Sequence, residues 1–251
     1  MFAKTTVSAS VPPGQRIYAI GDIHGHRDLL NELLYMITRY DSAQPPAETT
    51  LIFLGDYVDR GPDSRGVIEC LMNDIPEGMR SICLRGNHEE MLLRAFRDLS
   101  SFEIWATNGG LATLASYGVD RDLLYGSFLE GMILDDVPLI LQKFAKAMPS
   151  AHLDFLNSLE LSVIAGDYFF VHAGVRPGVA LDKQARDDCL YIRQEFLKHK
   201  RDFGKIIVHG HTPVKEPEIQ TNRIGVDTCA FRTGRLTALC LEGNSRVFLA
   251  T

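Results

Sequence analysis

Metal-capable and phosphate-capable side chains gather in five short glycine-containing clusters, each placed directly after an apolar, β-rich run. They are Gly21-Asp22-Ile23-His24-Gly25, Gly55-Asp56-Tyr57-Val58-Asp59-Arg60-Gly61, Arg85-Gly86-Asn87-His88-Glu89, His172-Ala173-Gly174 and His209-Gly210-His211-Thr212. Within them Asp22, His24, Asp56, Asn87, His172 and His211 offer three oxygen donors and three imidazoles, with no thiolate. Such a set suits Mn, Fe or Zn, whereas a structural zinc more often recruits Cys and Ca or Mg prefers oxygen alone. Six donors are too many for one catalytic ion with open positions, and about right for two ions sharing a bridging carboxylate. Ions roughly 3.5 to 4 Å apart clamp the attacking and leaving oxygens of a phosphoryl displacement. The chemistry these residue types suggest is hydrolysis of a phosphoester.

Side chains so distant in sequence meet only where a fold brings strand ends together. The recurring strand-then-helix order is that of an α/β protein. Strands are expected at Arg16–Ile20, Leu51–Leu54, Ser81–Leu84, Tyr168–Val171 and Lys205–Val208, with a late group at Arg223–Val226, Leu236–Leu241 and Arg246–Leu249. No helix is expected within the late group. Its turns, Thr233-Gly234-Arg235 and Glu242-Gly243-Asn244, suggest antiparallel hairpins appended to a more parallel first sheet. Apolar stripes predict helices over Arg27–Tyr40 and Ser64–Asp74, and weaker patterns over Glu89–Leu99, Ala151–Leu159 and Asp187–Lys200. Residues 100–149 read as a helical insert. In an open α/β sheet, ligands bind in the crevice beyond the carboxyl ends of the strands, which is where all five clusters fall.

The chain has 251 residues, 45% of them hydrophobic and 23% charged, and a net charge of −6. At about 150 residues per domain that allows one large domain or two small ones. With no repeat or convincing linker, a single catalytic domain over 1–251 is expected, residues 1–15 forming a lead-in. The acidic balance excludes a coat for a nucleic-acid backbone, while leaving room for a basic pocket that takes a small anion. No apolar stretch approaches the ~18 residues that span a bilayer, and the N-terminus lacks a secretory apolar run. Five widely spaced cysteines without Cys-x-x-Cys indicate neither a disulfide framework nor a zinc knuckle, so a reducing cytoplasm is expected.

The motifs G-D-x-H-G, G-D-x-V-D-R-G and G-N-H-E, continued through Val171-His172-Ala173-Gly174 and Gly210-His211-Thr212-Pro213, resemble those of the phosphoprotein phosphatase (PPP) family of calcineurin-like metallophosphoesterases. The likeness covers most of the chain from Arg16 onward. Asn108-Gly109-Gly110, Ser116-Tyr117-Gly118 and Ile192-Arg193-Gln194-Glu195-Phe196-Leu197 look like the compact bacterial and bacteriophage branch. The resemblance implies a two-sheet mixed β-sandwich flanked by helices in four layers. It implies that Asp22 and His24 hold one ion, that Asn87, His172 and His211 hold the second, and that Asp56 bridges them. It also implies that a water held between the ions attacks phosphorus, that His88 protonates the leaving oxygen and that Asp59 orients His88. Arg60 matches the family's phosphate clamp, and Arg193 supplies a second guanidinium suited to two phosphate oxygens. The expected cofactor is two divalent ions, Mn first, with Fe or Zn as alternatives. Expected substrates are phosphorylated proteins or small phosphoesters, with no membrane and no partner subunit evident. The first alternative is a dinucleoside polyphosphate hydrolase acting through the same machinery. The second, from another class, is a catalytically silent phosphoprotein-binding module.

Singly, these residues have duller explanations: Asp22, Asp56 and Asp63 as turn or cap residues, and Asp59 with Arg60 as a surface pair. Their joint occurrence after five apolar runs is what overrides those explanations. His26, His152 and His199 lack such company and are expected in solvent or at helix ends. His209 is either a group that orients a neighbouring ligand or a core histidine at a strand end. Arg85 is balanced between a functional role and buttressing of its loop. Cys70 and Cys83 read as packing residues. Two departures from the family pattern stand out. Cys229 follows Asp227-Thr228 where Gly is expected, and since Cys does not readily take positive φ, an altered turn is expected there. Pro213 stands where related metallophosphoesterases often place a ligand His.

Overall fold

The computed structural model describes residues 5–6, 8–124 and 136–251. The ends of the lead-in and part of the insert therefore lie outside the described residues. Strand β2 (Gln15–Ile20) shows how sequence alternation builds the layers: Ile17 and Ala19 point into a core between two sheets, while Tyr18 and Ile20 face helices on the outside. Helix α1 (Arg27–Ser42) answers that outer face with Leu30, Leu33, Leu34 and Ile37, all buried at helical spacing. Helix α2 (Ser64–Asn73) adds Val67, Ile68 and Leu71 to the same layer, and its N-terminus is capped by Asp63 accepting from the Gly66 N–H at 2.8 Å.

The first sheet has the order β1-β11-β10-β2-β3-β4, with β1 at Thr5–Thr6, β3 at Glu48–Phe53, β4 at Arg80–Cys83, β10 at Thr237–Glu242 and β11 at Ser245–Ala250. Strands β2, β3 and β4 are parallel; β10 is antiparallel to both β2 and β11. The second sheet has the order β5-β6-β7-β9-β8, from Ser162–Ala165, Tyr168–Val171, Ile206–His209, Arg223–Gly225 and Glu218–Ile219. The two sheets pack through Ile52, Leu54, Tyr168, Phe170, Val208, Ile224 and Leu239. The far face of the second sheet is covered by Cys189, Ile192 and Phe196 packing on Phe169, Val171 and Ile207. The architecture is the expected two-sheet mixed sandwich with helices outside each sheet.

Several details differ from the expectation. Arg223–Gly225 is not half of a hairpin with Leu236–Leu241; it pairs parallel to β7 in the second sheet, and the chain crosses to the first sheet through a short helix, α10 (Ala230–Thr233). The periodic run 187–200 is two helices, α8 (Arg186–Tyr191) and α9 (Gln194–Leu197), broken where Ile192 is extended and Arg193 takes φ −133° and ψ −88°. His152, on α7 (Ser150–Ser158), is not in solvent but buried, its Nδ1 paired with the Tyr117 hydroxyl at 2.8 Å. In the described part of the insert, α4 (Leu99–Trp105) runs through a π-turn at Ala106–Gly110 into α5 (Leu111–Ser116). Helix α6 (Val137–Ala147) stacks Phe144 on Trp105 at 5.7 Å and on Phe96 at 5.0 Å. The lead-in is partly structured, since β1 pairs with β11 and Val11 is buried in the inter-sheet core.

Candidate active site

The parallel strands β2, β3 and β4 end at one edge of their sheet, and β6 and β7 end at the facing edge of the other. Loops then stitch the ends together. The N–H groups of Ile23 and His24 donate to the Asp56 carbonyl at 3.1 and 2.8 Å, Gly210 N–H donates to the His172 carbonyl at 2.9 Å, and His211 N–H donates to the Asp22 carboxylate at 3.1 Å. The last of these ties one sheet to the other. Gly55, at φ 105°, lets the β3 loop approach so closely that a Cβ there would lie 2.6 Å from Gly86 N. Among the described residues, the non-glycine positions with left-handed φ are His24 (48°), Asp56 (53°), Asp59 (74°), Arg60 (68°), His211 (60°) and Cys229 (61°). All six belong to these strand-end loops. Each costs about 1–2 kcal/mol for an L-residue, strain that collects at functional sites.

The six candidate ligands are buried together. His172 Nε2 lies 3.0 Å from Asn87 Oδ1, 3.2 Å from His211 Nδ1 and 3.4 Å from Asp56 Oδ1. His24 Nε2 lies 3.5 Å from Asp56 Oδ2, so Asp56 stands between the two groups. His24 Nδ1 and His172 Nδ1 each face a backbone carbonyl, Val58 and Leu54, at 2.9 Å. A carbonyl accepts only, so both Nδ1 atoms carry hydrogen and both Nε2 atoms turn bare lone pairs inward. Burial pushes His24, His172 and His211 toward the neutral form, His211 to about 2. Burial also pushes Asp22 well above the carboxylate range, helped by the nearby charges of Asp227 and Asp56, and Asp227 up to about 6. Asp56 is held low against its burial by the surrounding imidazoles. Inward lone pairs beside crowded buried carboxylates fit divalent cations, which relieve that repulsion.

A second constellation adjoins the first. His88 Nδ1 donates to Asp59 Oδ2 at 2.7 Å, while its Nε2 faces Arg60 Nη2 at 3.0 Å and Asp56 Oδ2 at 3.9 Å. His88 thus groups with His24 and Asp56 as a possible donor set, although its bond to Asp59 equally suits a proton carrier. Burial disfavours the imidazolium, but Asp56 and Asp59 outweigh burial and hold its pKa above the ordinary value. Arg60 Nη1 reaches His24 Nε2 at 2.9 Å, and Arg193 Nε donates to His211 Nε2 at 2.9 Å. One lone pair cannot serve both a guanidinium and a cation, so a cation bound at His24 Nε2 would free Arg60 Nη1 from that contact.

The structure adds residues that the motifs alone did not single out. Glu89 is fully buried and accepts from the backbone N–H groups of Asp56, Tyr57, Val58 and Gly86 at 2.8 to 3.2 Å, pinning two ligand loops together. Burial and the Asp56 charge push its carboxyl up to about 7 against those amides. The Glu of G-N-H-E was the available signal. Trp105 Nε1 donates to both Asp59 oxygens at 3.0 Å and Thr113 Oγ1 to one at 2.6 Å, so the insert grips the partner of His88. No sequence pattern marked either residue. His209 is buried with its ring edge-on to Phe196 at 5.0 Å and held to about 4 by burial, which makes it a core histidine. Arg85 buttresses its loop, donating to the carbonyls of Leu156 and Asn157 and to Glu90. Contrary to the expectation from its side chain, Cys229 itself takes the left-handed φ of 61° in its turn, with its N–H donating to Asp227 Oδ1 at 2.7 Å. That turn carries Phe231 and Arg232 into the wall of a cleft of about 550 Å³, which Arg60, His88, Arg193 and Thr107–Gly109 also line. Pro213 is at the same rim.

Fold and site together define a metallophosphoesterase, and the chain belongs to the calcineurin-like phosphoesterase family, whose pattern matches residues 15–236. Among curated relatives, the bis(5'-nucleosyl)-tetraphosphatase PrpE (asymmetrical) of Anoxybacillus flavithermus is 30% identical over 234 residues, covering 88% of each chain. Its counterpart from Bacillus thuringiensis is 30% identical over 241 residues with the same coverage. Among solved structures, a candidate diadenosine tetraphosphatase superposes with a TM-score of 0.64 at 22% identity, covering 97% of this chain and 98% of that one. A cold-active protein-tyrosine phosphatase of a Shewanella species has a TM-score of 0.53 at 18% identity, covering 95% and 80%. These structural likenesses speak for the fold.

Proposed function

We propose that this metallophosphoesterase is an asymmetrical bis(5'-nucleosyl)-tetraphosphatase, adding water across one end of a four-phosphate bridge to give a nucleoside monophosphate and a nucleoside triphosphate. The observation that carries this reading is the relatives' shared name at 30% identity over 88% of both chains. It moves the first alternative ahead of the serine/threonine phosphatase that the motifs suggested.

In this reading Asp22 and His24 would hold one divalent ion, Asn87, His172 and His211 would hold the other, and Asp56 would be shared by the two. Bound ions supply Lewis-acid stabilisation of phosphoryl charge and an acidified water. Arg60 and Arg193 bind the oxygens of the reacting phosphoryl group with planar forks. His88, kept protonated by Asp56 and Asp59, delivers a proton from Nε2 to the departing oxygen. That proton matters most for a poor leaving group and least for a polyphosphate, which departs as a stable anion.

The test is a substrate panel of diadenosine tetraphosphate, p-nitrophenyl phosphate and a phosphoserine peptide, with nucleotide products separated by chromatography. AMP and ATP in equal amounts are expected. Two ADP molecules, or turnover of the peptide with none of the dinucleotide, would overturn the assignment.

A further inference from the structure

Three guanidiniums line the cleft, and they are not equivalent. Arg60 and Arg193 are turned inward onto the candidate ligands His24, His88 and His211, at 2.9 to 3.0 Å. Arg232, exposed like the other two, lines the cleft from the short helix that follows the left-handed Cys229 turn, and none of those histidines is its partner. No ion pair or hydrogen bond engages its side chain among the described residues. One phosphoryl group has few oxygens to share, and the two inner forks already address them. A third cation lining the same cleft, in a chain of net charge −6, has no counterpart in a monoester. It does have one in a substrate whose negative charge continues outward along further phosphates, and the cleft is many times larger than a single phosphate group.

We infer that Arg232 is a specificity-determining residue that binds the phosphates beyond the reacting one, so that the cleft selects a polyphosphate chain over a monoester. The inference rests on the dinucleoside polyphosphate reading and deepens it by dividing the arginines into an inner pair and an outer guide.

The experiment measures competitive inhibition of p-nitrophenyl phosphate hydrolysis by inorganic tripolyphosphate and by orthophosphate, with divalent ion in excess of either anion. Arg232→Gln is expected to raise the inhibition constant for tripolyphosphate about two- to fivefold more than that for orthophosphate, as loss of a solvent-exposed charge pair implies. Arg232→Lys, which keeps the charge without the fork, recovers most of the difference. The same ratio should appear in the KM for diadenosine tetraphosphate against that for p-nitrophenyl phosphate. Equal weakening of both anions would reduce Arg232 to a general field, and no change in either would remove it from the site; both results overturn the inference. A wild-type enzyme that cleaves p-nitrophenyl phosphate but no dinucleotide overturns the proposed function instead, and the tripolyphosphate comparison still decides the role of Arg232.

Discussion

Replacing Asp59 by Asn isolates the charge that the proposed mechanism assigns to the acid arm of the site. The residue sits at φ 74°, a conformation Asn tolerates well, so the loop should keep its path. Asp59 is fully buried, and its carboxylate collects three side-chain donors: His88 Nδ1 at 2.7 Å, Trp105 Nε1 at 3.0 Å and Thr113 Oγ1 at 2.6 Å. An amide of the same shape offers one oxygen to those donors and no charge to an imidazolium. With Asp56 still 3.9 Å from His88 Nε2, the imidazolium loses one of its two carboxylates, which costs part of the about 3–5 kcal/mol of a wholly unpaired buried ion, and His88 escapes that cost by giving up its proton. In the wild type the His88 pKa is raised, so the imidazolium persists above pH 6.5 and is lost as pH climbs through the raised value. In Asp59→Asn that loss comes at lower pH. The alkaline limb of kcat should therefore move acidward. At neutral pH, turnover of phenyl phosphate should fall by roughly 100- to 10,000-fold, the worth of general-acid catalysis. The fall should be much smaller for p-nitrophenyl phosphate, whose leaving group needs little protonation. The assay is a pair of kcat–pH profiles. Equal losses on both esters with an unmoved limb would show that Asp59 supports the loop and nothing more.

Trp105→Phe makes the opposite statement about the same carboxylate: with one donor removed, Asp59 holds the imidazolium more strongly and the alkaline limb should move to higher pH, while urea unfolding registers a loss of about 1.5–3 kcal/mol for the missing charge-assisted bond. Asp56→Asn should lower the bound divalent ions from two per chain to one or fewer by elemental analysis; two tightly held ions in that variant would contradict its bridging place. Glu89→Gln turns an NH2 toward at least two of the four backbone donors, and at about 1–3 kcal/mol for each unsatisfied buried group the loss should be roughly 2–6 kcal/mol, read from urea midpoints at fixed metal concentration. A loss under ~1 kcal/mol would refute the pinning role.

What could be read in the sequence follows from how local each signal is. Asp22, His24, Asp56, Asn87, His172 and His211 stand within a few residues of apolar strands, so one topological rule, ligands beyond parallel strand ends, was enough to bring them together. The strand at Arg223–Gly225 was legible as a strand but not as a member of the second sheet, because a three-residue run carries no mark of its partner. Arg193 shows the other limit: its apolar flanks have a helical period, yet the helix breaks there, and its guanidinium meets His211, 18 residues away. Trp105 and Thr113 are more remote still, 46 and 54 residues from the carboxylate they grip, in an insert whose sequence is merely helical. The division has a physical cause. Donors for a cation must sit on rigid strand ends, which leave a pattern. The groups that tune a proton carrier need only reach it, and any element that packs nearby can supply them. On the inference drawn for Arg232, substrate choice belongs to the second kind, since Phe231 and Arg232 line the cleft beside a turn at Cys229 with φ 61° and no strand-end motif announces them.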